Sequence, residues 1–124
     1  HAYTYFGPDI GYIAIYAATS GENGDQTLKA MLEEIERVRS GDISEEELEV
    51  GKSMCISNHL IGHQTVSDKS ASAALGESYG IGYDHFIRYE EEIGKVKMDD
   101  VISIAREILD DSKRVIAILK PREQ

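Results

Sequence analysis

Aromatic and β-branched residues crowd two short runs at the start of the chain, and apolar residues at helical spacing fill most of the remainder. Ala2 to Phe6 (Ala-Tyr-Thr-Tyr-Phe) has a strand composition, and Gly7-Pro8-Asp9 interrupts it with turn-forming residues. Gly11 to Ala18 resumes the strand pattern, so the two runs predict an antiparallel hairpin. The second run is apolar on both alternations, which predicts a strand covered on both faces.

The loop Ser20-Gly21-Glu22-Asn23-Gly24-Asp25 leads into a helix whose apolar face is Leu28, Met31, Leu32, Ile35 and Val38, with Gly41 as its stop signal. Asp42 to Leu60 predicts a second helix, which opens on a capping box formed by Ser44 and Glu47 and runs to about Ile61, with a break near Gly62. Glu45 and Glu46 place further negative charge in its first turn, where the helix dipole favours it. Ser67 is the expected cap of a third helix that packs through Ala71, Ala74 and Leu75, and Gly76, Gly80 and Gly82 loosen its end. Asp84 is the expected cap of a short helix in which Phe86, Tyr89 and Ile93 share a face. Met98, Val101, Ile102, Ala105, Ile108 and Leu109 mark the last helix, and Val115 to Leu119 predicts a closing apolar strand before Pro121.

Two strands, five helices and one strand make the fold α+β, an antiparallel sheet (hairpin plus C-terminal strand) covered by helices. So small a sheet leaves a long apolar edge, which is expected to pair with missing neighbours or with a second copy, giving a homo-oligomer. Residues 1–124 read as a single piece without linker, repeat or low-complexity tract. The chain starts at His1 with strand composition already under way, which points to a fragment of a longer protein and leaves an upstream targeting segment open. An independent small binding module fits this picture poorly.

Composition narrows the partners. Thirteen basic against 23 acidic residues give a formal net charge of -10, which repels a phosphate backbone and argues against nucleic acid. No basic amphipathic helix suits an anionic membrane, and no apolar run is long enough to span one. The single cysteine, Cys55, lies in a helix pattern and reads as a small buried hydrophobe, so a reducing, cytoplasmic setting is favoured.

The candidate chemistry is sparse. His59 and His63 stand four apart, a spacing that aims both rings the same way on an unbroken helix, as zinc ligands require. Gly62 lies between them, no glutamate sits inside the pair as base, and His85 and Glu77 downstream are not at a diagnostic spacing. The expected reading is therefore two polar residues near a helix end. The runs Glu45-Glu46-Glu47-Leu48-Glu49 and Glu90-Glu91-Glu92 read as solvated helix faces, Gly80 and Gly82 form no phosphate loop, and no G-x-S-x-G elbow is present. Tyr3, taken alone, is a packing residue.

Three patches together resemble the insulinase/pitrilysin-type zinc peptidases, and the mitochondrial-processing-peptidase-like branch in particular. The first is His1-Ala2-Tyr3-Thr4-Tyr5 with Gly11-Tyr12-Ile13-Ala14-Ile15-Tyr16-Ala17-Ala18-Thr19, similar to the hairpin "G-L-A-Y-x-V … G-x-F-x-I-Y-x-G-T". The second is Gly41-Asp42-Ile43-Ser44-Glu45-Glu46-Glu47-Leu48-Glu49-Val50-Gly51-Lys52, similar to "G-x-[IV]-[ST]-x-E-E-L-x-x-A-K". The third runs from Glu92-Ile93-Gly94-Lys95-Val96 through Ala105-Arg106-Glu107-Ile108-Leu109 to Pro121, similar to "I-x-x-V-T-x-x-D-[IV]-x-x-[VA]-A-x-x-x-[LF] … V-x-P". Lys97 departs from a capping threonine, Gly51 from alanine and His1 from leucine.

This resemblance implies the second half of a C-terminal, substrate-binding lobe of a two-lobed zinc peptidase that encloses its substrate in a chamber. It implies that zinc is held by the N-terminal lobe through an H-x-x-E-H helix absent here, so this chain holds no catalytic residue or metal ligand and is inactive alone. Of the opposing lobe's arginine and tyrosine, only the tyrosine maps, onto Tyr3, as a substrate-binding residue. The implied partners are a peptide substrate and the catalytic lobe or a partner subunit. The alternative is a non-catalytic structural or partner subunit of the same fold.

Overall fold

The structure, a computed structural model, describes residues 1–7 and 10–120. Pro8 and Asp9 of the expected turn and Pro121 of the expected closing motif lie outside the described residues. The described chain is α+β. Its elements are β1 (Ala2–Phe6), β2 (Gly11–Ile15), α1 (Gly24–Ser40), α2 (Glu45–Gly62), α3 (Val66–Ser78), α4 (Tyr89–Lys95) and α5 (Met98–Ile108), with short 3-10 turns at Gly21–Asn23, His85–Ile87 and Asp111–Lys113. They group into two compact units, residues 1–42 with 102–124 and residues 43–101.

In the first unit β1 and β2 pair antiparallel with Ala2 opposite Ile15, Tyr3 opposite Ala14, Thr4 opposite Ile13 and Tyr5 opposite Tyr12. The alternation of side chains then sorts the hairpin into two faces. Ala2 and Ile15 border a cleft of about 750 Å³ shared with Ala30, Met31, Ile35 and Val38 of α1 and with Leu109. Tyr3, Tyr5 and Tyr12 lie on the opposite, exposed face. The expectation that β2 is covered on both faces therefore fails, and β2 ends at Ile15 rather than Ala18.

α1 stops where Gly41 adopts φ 86°, the left-handed region that a side chain disfavours. Its amide reaches the Val38 carbonyl at 3.2 Å and the Asp42 amide reaches the Arg37 carbonyl at 3.0 Å, the paired bonds that close a Schellman end. The Arg37 guanidinium adds a bond to the Asp42 carbonyl at 2.7 Å. Ala105, on α5, is the buried hydrophobic residue of the described chain. Val115 to Leu119, expected as a third strand, forms none, and Val115 and Leu119 are 92% and 99% exposed. An apolar run becomes a strand only when an edge accepts its N–H and C=O groups, and among the described residues β1 pairs with β2 alone.

In the second unit α2 opens as the sequence requires. The Ser44 amide donates to Glu47 Oε2 at 2.8 Å and the Glu47 amide to Ser44 Oγ at 3.1 Å. α3 starts earlier than expected, because Thr65 and Asp68, not Ser67, form its capping box, with the Asp68 amide 3.1 Å from Thr65 Oγ1. Its packing face also differs. Ala71, Ala74 and Leu75 are exposed, whereas Ser72 and Ala73 are half-buried and Gly76 is buried. The reason is a backbone contact: a Cβ on Gly76 would stand 2.5 Å from the Gly82 carbonyl oxygen, so the closest approach selects the glycine's side of the helix. Asp84 precedes a 3-10 turn at His85–Ile87, not a helix, and spends its carboxylate on Arg88 at 3.2 Å. Phe86, Tyr89 and Ile93 are each half-buried, but Phe86 lies in the 3-10 turn, so only Tyr89 and Ile93 lie on α4, and the helix expected to carry all three is shorter.

Candidate functional site

The hairpin holds the residue singled out in the sequence. Backbone bonds between His1 and Tyr16 (2.8 and 2.9 Å) and from the Gly7 amide to the Ile10 carbonyl (2.8 Å) fix which pairs exchange hydrogen bonds. In an antiparallel ladder such pairs alternate, so Tyr3 with Ala14 and Tyr5 with Tyr12 are also bonded pairs. The backbone groups of Ala2 and Thr4 consequently point away from β2, along the open edge of β1. Tyr3, Tyr5, Tyr12 and Tyr16 stand out from one face at 50%, 52%, 55% and 60% exposure. Tyr5 and Tyr12 stack with ring centroids 5.2 Å apart, and the His1 ring lies 6.5 Å from that of Tyr3. Among the described residues the Tyr3 phenol has no hydrogen-bond partner. The sequence pointed to Tyr3 alone; period-two spacing of Tyr3 and Tyr5 against Tyr12 and Tyr16 is the signal that would have found the rest.

The second unit gathers the histidines. The His59 and His63 rings lie 4.0 Å apart at the end of α2. His59 Nε2 meets the Phe86 carbonyl at 2.8 Å, and its ring stacks on Tyr89 at 4.2 Å. His63 Nδ1 meets the His59 carbonyl at 2.7 Å, Nε2 meets Ser72 Oγ at 2.7 Å, and the ring stacks on Phe86 at 5.4 Å. A carbonyl can only accept, so in the neutral rings His59 carries its hydrogen on Nε2 and His63 on Nδ1, and the Ser72 hydroxyl donates to His63 Nε2. Burial pushes the His59 pKa down, and the neighbouring His63 pushes the same way, against the Phe86 carbonyl. Burial likewise raises the Tyr89 phenol, helped by the adjacent Cys55.

This arrangement does not make a metal site. No group of three or more His, Cys, Asp or Glu side chains converges among the described residues, and three of the four ring nitrogens are spent on protein partners. Glu77 is not brought to the pair; His85 acts on His59 only electrostatically. Nor is the Ser72 hydroxyl on His63 a nucleophile and base with an anion hole. Ser72 lies mid-helix, where neighbouring amides are committed to the α3 ladder. The histidines instead cross-link α2 to α3 and to the His85–Ile87 turn. Cys55, expected buried, is exposed on α2. The acidic residues that open α2 and α4 sit in the first turns of those helices. No described helix is long and apolar enough to cross a membrane.

Residues 1–55, which carry the hairpin, α1 and the first part of α2, match the family described as the Peptidase M16 inactive domain. The match supports a non-catalytic portion of an M16 peptidase. No curated protein and no solved structure matches the chain.

Proposed function

We propose that this chain is the substrate-binding, non-zinc-bearing portion of a zinc-dependent endopeptidase that cleaves peptides in an enclosed chamber. The observation that carries this reading is the hairpin, which lies within the matched span and presents Tyr3 on an exposed tyrosine face beside an open strand edge. An extended peptide adds to such an edge through main-chain bonds, here to the Ala2 and Thr4 backbone, while its side chains meet the flanking face. In this reading the zinc is held by the catalytic lobe, where it would polarise the scissile carbonyl. What this chain supplies is a phenol that donates to the substrate's carbonyl oxygen and holds the peptide in place.

Tyr3→Phe in the complete peptidase removes that one donor and leaves the ring. Turnover of a fluorogenic peptide falls at least about tenfold while Tyr5→Phe leaves it unchanged, since a single lost donor to a developing charge costs on that scale or more. Equal rates for both variants and the parent would remove Tyr3 from the site, whereas a parent without turnover would favour a structural or partner subunit.

A further inference from the structure

We propose that the close-set His59–His63 pair is a pH-operated latch, which ties α2 to α3 and to the His85–Ile87 turn while both rings are neutral and lets go when the pair becomes doubly protonated. The geometry fixes the neutral state. Each of the two donor nitrogens faces a carbonyl, and His63 Nε2 offers its lone pair to Ser72. A first proton is tolerated: on His63 it reverses the Ser72 bond, because a hydroxyl accepts as readily as it donates. A second proton places two cations on half-buried rings whose centroids are 4.0 Å apart, where like charges repel.

The surroundings oppose the second charge more than they favour it. From the His85–Ile87 turn, His85 adds a third ionisable imidazole of the same sign. From α4, Tyr89 offers a neutral ring face that attracts a cation weakly, and on α2 itself Cys55 is engaged with Tyr89. From α3, Asp68 interacts electrostatically with His63, and its carboxylate is already bound to Thr65 Oγ1 at 2.7 Å and to the Thr65 amide at 3.2 Å. Ser72 is uncharged.

Linkage gives the direction. His59 is held below its unfolded value of about 6.5, so the unfolded chain binds more protons in mild acid. The stabilisation is complete above that value and is lost as pH falls through the folded one. The imidazole is the side chain whose ordinary value lies between pH 7.5 and 5.5, so that window bears most on the histidines.

Hydrogen-exchange mass spectrometry of the whole chain at pH 7.5 and 5.5, corrected for the intrinsic rate, reads the latch directly. Protection of α3 and α4 falls several-fold, with about tenfold as the ceiling for one refused proton, relative to α1 at the lower pH, and this differential fall disappears in His59→Gln and in His63→Gln. An unchanged ratio of protection in the parent chain, or the same fall in both variants, overturns the latch. Where a variant does not fold at pH 7.5, NMR titration of the parent chain's imidazoles decides. Two coupled steps, the second well below the ordinary imidazole value, support the latch, and independent titration of both rings at that value overturns it.

Discussion

At the scale of single residues, two helical glycines make opposite demands. A Cβ at Gly51 meets nothing within 4 Å, so Gly51→Ala stabilises α2 by about 0.5–1 kcal/mol through lower backbone entropy in the unfolded chain. Gly76→Ala forces a methyl against the Gly82 carbonyl and costs about 1–3 kcal/mol, the usual penalty of overpacking. Urea unfolding of both variants checks the pair: midpoints moving the same way would contradict these environments. The sequence showed that Gly51 departs from alanine in a helical pattern, but not that Gly76 lies under a loop. That contact depends on the chain returning through Gly80 and Gly82, both at positive φ. The histidine contacts were hidden for the same reason, since Phe86 and Ser72 lie 27 and nine residues from their partners. Tyr3 was legible as a residue through the family resemblance, while its exposure came only with the strand register.

At the scale of elements, the helices were legible because their signals are local. Ser44 and Glu47 form the expected capping box, and Ser44→Ala costs about 1 kcal/mol, seen as a lower thermal midpoint with unchanged helix content at 20 °C. An unchanged midpoint would mean the cap bonds are replaced by water at no cost. Lys97 bears out the expected departure at α5 in part: its amide still donates to Asp100 Oδ2 at 2.9 Å, but its own side chain cannot return the bond. Most ion pairs join neighbours three or four apart on exposed helix faces, such as Lys95 with Glu91 and Glu92, where water screens them and little stability follows. The misread elements are those whose identity is not local. Val115 to Leu119 has a strand's composition and no strand's partner, and the packing face of α3 was set by a backbone approach, not by its alanines.

At the scale of the whole molecule, apolar surface is left over. Val66, Ile10, Val115 and Leu119 are each more than three-quarters exposed, and burying one such side chain fully is worth about 1.5–3 kcal/mol. Exposed apolar side chains and an unpaired strand edge each favour association with another surface. Sedimentation velocity of the chain alone accordingly shows self-association that rises with concentration; a single monomer species at every concentration would contradict this. That the hairpin takes an extended peptide is tested most directly by NMR titration of the chain with an uncleavable extended peptide. The predicted shifts are confined to β1, β2 and Tyr16, with the Ala2 and Thr4 amides gaining protection and Tyr3 ring signals moving most. Unmoved hairpin resonances at millimolar peptide, or shifts gathered on α2 and α3 instead, would contradict it.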